Sequence, residues 1–208
     1  VEVSPGVVLS GASALRLQAM GSGSVRVSAP GVWSASRGVS AGSAVLLSGF
    51  GEMLVDADAD VDGVGTLSLL GGVSVSPSSG VRHVSLVGAD LELSSSLSAG
   101  SASVSVEPSA WRGSALRVGA GAAGGWMHVS NEELSGLRTT GVLTLGGFMT
   151  ESLAVSGASY SGGARRVVLS ALKEATSDVT LEGAASVFGS SVRVSARDDV
   201  LALSGGLS

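Results

Sequence analysis

The chain has 208 residues, a net charge of −5 and no cysteine, with 44% hydrophobic and only 14% charged side chains. That is enough apolar material for one domain with a continuous core, and too much Val and Leu for a disordered chain despite 32 glycines and 40 serines. The eleven arginines form no basic block, which argues against nucleic acid as a partner. The missing cysteines exclude disulfides and thiolate metal centres, and no apolar run reaches the ~20 residues of a membrane-spanning helix.

The chain opens at Val1 with Glu2 and Pro5 following, without the charged and apolar regions of a secretory leader, and reads as a mature or excised piece. From there on, apolar residues alternate in short bursts, the strand signal, separated by Gly and Ser clusters that read as turns. Val25-Arg26-Val27-Ser28 is the first clear burst, and a further one begins at Val45.

Next comes the most distinctive stretch, Met53-Leu-Val-Asp-Ala-Asp-Ala-Asp-Val-Asp-Gly63. As one strand it sends Met53, Val55, Ala57, Ala59 and Val61 to the core and Asp56, Asp58, Asp60 and Asp62 outward, with successive carboxylates about 7 Å apart. Four like charges in a row repel, and a divalent cation relieves them, so Asp56, Asp58, Asp60 and Asp62 are the candidate metal ligands, with calcium as the ion. No cofactor is otherwise required. Asp58-Ala-Asp60-Val-Asp62-Gly63 also matches the first half of an EF-hand loop, but Leu69 stands where that loop needs Glu. The simpler reading is a solvated acidic strand that discourages edge pairing.

Beyond residue 65 the bursts fall into two interleaved series. One begins at Leu67, Leu91, Leu116, Leu143, Val167 and Val192, the other at Val84, Val104, Met127, Leu153, Val179 and Leu201. Ser-Val-Arg-Val-Ser-Ala occurs at 24–29 and again at 191–196. Such a period signals a repeat architecture. It has room for two strands and a short third, which fits a parallel β-helix (β-solenoid) of about 24 residues per coil and roughly eight coils, a rod of about 40 Å at strand spacing. Residues 1–208 then form a single solenoid segment of a longer repetitive protein. An antiparallel sandwich or barrel with Gly-rich hairpins is the alternative.

The remaining features read as parts of coils. Gly119-Ala-Gly-Ala-Ala-Gly-Gly125 follows a strand but precedes another, so it is a corner rather than a dinucleotide loop. Asn131-Glu-Glu-Leu-Ser is expected to start a helical turn capped by Asn131. Trp33, Trp111, Trp126 and Tyr160 lie among Gly, Ser and Arg, where they either stack on sugars or pack at corners. His83 and His128 read as outward strand residues, and Arg197-Asp198-Asp199 as a polar corner; no catalytic residue is assigned.

The units Leu143-Thr-Leu-Gly-Gly147, Leu153-Ala-Val-Ser-Gly157 and the repeated Val-Arg-Val-Ser-Ala resemble right-handed β-helix surface proteins, in the style of filamentous haemagglutinin-like and autotransporter passenger repeats, over residues 15–206. Low charge, positive mean hydropathy, a final strand Leu201-Ala-Leu without a polar cap and a repeat without a chemical centre lead to the expectation of a structural or adhesive segment of an extracellular or cell-surface fibre, partnered by neighbouring coils or subunits and by glycans. A carbohydrate-binding or carbohydrate-degrading β-helix and an intracellular polymerising scaffold are the competing readings. A groove with clustered acids, an arginine and aromatic residues on one coil face marks the former.

Overall fold

The computed structural model describes residues 31–109, 113–121, 127–202 and 207, and the backbone alone of 2–3, 8–11, 15–17 and 25–30. Short strands dominate, with one helix among the described residues, and every strand pairing is parallel. An antiparallel sandwich or barrel is therefore not what these residues form. Parallel neighbours cannot be joined by tight hairpins. The connections here run instead through strands of other sheets.

Val25–Ala35 leads the long sheet, and six strands follow it in chain order: Val45–Asp56, Gly80–Gly88, Ser103–Pro108, Val142–Gly147, Arg166–Ala171 and Ser191–Ala196. Their registers align Met53, Val84, Val104, Leu143, Val167 and Val192 in one inward row. Val55, Leu86, Val106, Leu145, Leu169 and Val194 form a second. Side chains on one face of a strand repeat every second residue, so each apolar-any-apolar burst places two residues in the core. Val45–Asp56 is long enough to bend. Its first half pairs with Val73–Val75 and its second with Gly80–Gly88, so one sheet covers two walls of the core. Leu97–Ser98 and Leu137–Arg138 extend the first of these walls.

The third wall consists of two sheets. Leu15–Leu17, Gly38–Ala41, Thr66–Leu69 and Asp90–Glu92 make one. Met127–Val129, Ala115–Gly119, Ser152–Ser156, Asp178–Leu181 and Val200–Ala202 make the other. They meet where the His128 N–H donates to Asp90 Oδ1 at 3.4 Å. Between the walls lies one continuous aliphatic core from Trp33 to Phe188. Each fully buried Val or Leu contributes about 1.5–3 kcal/mol relative to exposure.

Register corrects the two series read from the sequence. Leu67 pairs with Leu91 on the third wall, whereas Leu143, Val167 and Val192 lie on the long sheet with Val84 and Val104. Leu116 belongs with Met127, Leu153 and Val179. The last strand is offset by one residue, since Val200, not Leu201, partners Val179. The cause is an insertion. Met127–Val129 lies between Asp90–Glu92 and Ala115–Gly119 although it follows both in sequence. A helix, Asn131–Gly136, follows it. The step from Val104 to Leu143 must pass through this extra strand and helix, whereas the shorter step from Leu143 to Val167 has neither. The helix cap also differs from expectation. Ser130 is the N-cap and forms a capping box with Glu133, because a hydroxyl one residue earlier can accept the Glu133 N–H. Asn131 instead clamps a neighbouring strand, donating to Gly157 O at 3.0 Å and accepting from the Ser159 N–H at 2.8 Å.

Candidate functional site

Two polar features stand out, one at the end of Val45–Asp56 and one on the outward face of the long sheet. At the first, the expected outward row of aspartates is overturned. The strand stops at Asp56, and Ala57–Gly65 is a turn. Aspartate side chains compete for backbone donors, and here three of them capture four N–H groups. Asp56 Oδ1 accepts the Asp58 N–H at 3.1 Å, the Asp58 carboxylate accepts the Asp62 and Gly63 N–H groups at 3.2 and 2.9 Å, and Asp62 Oδ1 accepts that of Val64 at 2.8 Å. Asp58 is thus buried, only 1% exposed, while Asp60 and Asp62 face solvent. Val61 is held at φ 60°, a conformation costly for a β-branched residue. Gly65 closes the turn, where a Cβ would collide with the Ala57 carbonyl.

One carboxylate oxygen from each of Asp58, Asp60 and Asp62 lies within 4.8 Å of the others, and Asp56 is outside this group. Calcium takes six to eight oxygens at about 2.3–2.6 Å, so three carboxylates can supply only part of a shell, and both Asp58 oxygens already receive backbone N–H groups. Leu69, at the twelfth loop position, is a core residue. Burial holds the Asp56 carboxyl above its ordinary range; the Asp58 N–H partly offsets this and the Asp58 charge adds to it.

The second feature is an outward face of three rows. The first carries Glu52, His83, Ser103, Val142, Arg166 and Ser191. The second carries Leu54, Ser85, Ser105, Thr144, Val168 and Arg193, and the third begins with Asp56, Val87 and Glu107. A shallow open cleft of about 450 Å³ lies among Glu52, Leu54, His83, Ser85, Ser105 and Glu107. His83 Nε2 is 2.9 Å from Ser105 Oγ, and Ser105 donates to Ser85 Oγ at 3.2 Å. Ser105 therefore accepts from the imidazole and passes its own proton away from it, the opposite sense to an activated nucleophile. These hydrogen bonds tie adjacent strands together. Burial lowers the His83 pKa, and the Glu52 charge partly restores it. Glu107 is half-buried above Gly147; burial raises its carboxyl, offset in part by the Met149 N–H.

The other candidates are structural in geometry. His128 Nε2 bonds Gly119 O at 3.0 Å. Trp33 and Tyr160 are core residues, 1% and 2% exposed, and present no ring to a sugar. Trp111, Trp126 and residues 122–125 of the glycine run lie outside the described residues. Arg197-Asp198-Asp199 forms a corner in which Asp198 and Asp199 donate backbone N–H groups to Ser177 O and Asp178 Oδ1, both at 3.1 Å. Sequence reading missed one cluster. Lys173 donates to Ser114 Oγ at 3.1 Å and pairs with Glu151 at 3.9 Å, and Ser114 donates to Met149 O. The singularity of this lysine was the available signal. Comparisons with protein-family models, curated proteins and solved structures gave no match.

Proposed function

We propose that the chain is a β-solenoid segment with a structural or adhesive role in an extracellular or cell-surface fibre, its partners being neighbouring coils, subunits and glycans. One observation carries this reading. Met53, Val84, Val104, Leu143, Val167 and Val192 stack in a single parallel row, one from each successive return of the chain to the long sheet. A wall built this way buries its apolar face only through its neighbours, and it lengthens by repetition. The returns from Leu143 to Val167 and from Val167 to Val192 are nearly equal and match one coil each. The longer step before Leu143 is one coil carrying an inserted strand and helix. Among the described residues the hydrogen bonds of His83, Ser105 and Ser85 run between adjacent strands, which supports a role in holding the sheet together.

The test is electron microscopy of the native material together with its intact mass. A rod or filament many coils long that contains this segment is the expected result. A compact particle of about 20 kDa, close to the 20.2 kDa of this chain, overturns the fibre role.

A further inference from the structure

We infer that the outward face of the long sheet is a self-complementary contact through which two copies of this chain associate side by side, running antiparallel. The inference deepens the structural reading and rests on it, since it takes a second subunit as the partner.

Charge on this face is segregated along the strand order. Glu52, Asp56 and Glu107 stand on the first three strands, whereas Arg166 and Arg193 stand on the last two. Val142 and Thr144 lie between them. Arg165, next to Arg166, is also exposed. Among the described residues the guanidinium groups of Arg165, Arg166 and Arg193 have no ion-pair or hydrogen-bond partner, whereas Arg117 is paired with Glu182 at 3.0 Å. Arg82, the extra residue of the bulge beside Glu52, is the one cation on the first three strands of the face. The acidic end thus remains net negative. Leu54, Val87, Val142 and Val168 are only half-buried on the same face, so it also offers apolar atoms where an outward face is ordinarily polar.

Symmetry selects the arrangement. A two-fold axis along the strands, between Ser103–Pro108 and Val142–Gly147, reverses strand order. It lays Val45–Asp56 of one copy on Ser191–Ala196 of the other, and Gly80–Gly88 on Arg166–Ala171. Arg193 then falls opposite Leu54, between Glu52 and Asp56, and Arg166 falls opposite His83, beside Glu52. The operation creates each match twice. A two-fold axis across the strands would instead lay each strand on its own counterpart, acid against acid at Glu52 and Asp56, and is disfavoured by charge. Six strands about 4.8 Å apart and three rows deep give a patch of roughly 400 Å² per copy. That is the size of a transient contact, one that gains strength through repetition along a longer rod.

The experiment is sedimentation equilibrium of the 208-residue chain at high protein concentration, in low and in molar salt. Wild type is compared with Arg166→Glu/Arg193→Glu, with Glu52→Arg, and with a mixture of the two variants, after thermal melts establish that each is folded. The expected result is a weak dimer at low salt that dissociates in high salt. Each variant alone should be weakened about tenfold or more. The mixture should regain association, because the glutamates introduced in one variant then meet the arginine introduced in the other. A chain that stays monomeric, a dimer indifferent to both variants, or a mixture that fails to associate overturns the inference. So does a glycan that occupies the face and leaves the chain monomeric. The fibre reading fails separately, on the form of the native material: a native rod whose isolated segment never dimerises removes this contact and leaves that reading intact.

Discussion

Residues 53–56 and 57–62 carry the same alternation of apolar and outward-facing positions, yet the first group is strand and the second is turn. On the long sheet the positions between core residues are Ser105, Thr144, Val168 and Arg193. None of these side chains takes a backbone N–H of its own strand, and the ladder proceeds. From Asp56 on the alternating positions are all aspartates, and the carboxylates of Asp56, Asp58 and Asp62 take the Asp58, Asp62, Gly63 and Val64 amides. The turn does not spread the acidic row: it sends Asp58 inward, leaves Asp60 and Asp62 in solvent and keeps one oxygen of each within 4.8 Å of the others, with backbone N–H groups offsetting the charge on Asp58 and Asp62. Period two is therefore necessary for a strand here, but side-chain chemistry decides where the strand stops.

The largest expected effect lies in the ladder. Leu143 is 0% exposed with Val104 and Val167 in register on either side. Leu143→Ala should cost about 2–5 kcal/mol by chemical denaturation, the range for a cavity in a core that cannot collapse. Val192, on the last strand of the row, is only partly buried, and Val192→Ala should cost less than about 1.5 kcal/mol. Equal costs at the two positions would mean that the row is not a continuous core.

The turn gives the next effect. Asp58→Asn keeps the size of the side chain but puts an amide N–H₂ where a backbone donor now points. The loss should be about 1–3 kcal/mol, with the turn opening before the ladder in hydrogen exchange. Calcium sharpens the same contrast. A turn closed by its own amides should melt at nearly the same temperature with and without the ion. A rise in Tm that grows with calcium concentration and disappears in Asp58→Asn would make Asp58, Asp60 and Asp62 an ion site.

The strands themselves were legible because their signal is local. Val-any-Val bursts and glycine turns need no long-range information, and the nearly constant step holds in the structure from Leu143 to Val167 to Val192. The crossing of the two series was not legible. Met127-His128-Val129 has the same texture as any other burst, and its insertion beside Asp90–Glu92 is fixed by pairing, not by its own residues. The acidic turn was visible as a motif but misread in shape, since alternation concealed the competition for amides. The outward face was invisible, because Glu52, His83, Glu107, Arg166 and Arg193 become neighbours only through register.

His83 gives the smallest effect and brings the comparison back to that face. Burial favours its neutral form, so its pKa in the fold lies below the ordinary 6.5, with the Glu52 charge opposing the shift. A base whose folded pKa is lowered contributes stability that is fully present above pH 6.5 and is lost as the pH falls toward the folded value. Asp56 and Glu107 act in the opposite sense: their carboxyls are raised by burial, so their contribution is present in acid and declines as the pH rises through their folded values. The raw pH profile therefore mixes the two. The difference between wild type and His83→Gln isolates the histidine, since glutamine can still donate to Ser105 but does not titrate. That difference should be flat above pH 6.5 and move against wild type below it. A half-exposed ring is screened by solvent, so the change should stay below about 1 kcal/mol. A difference flat at every pH would mean that the imidazole is solvated, and that the contact with Ser105 does not hold it against the sheet.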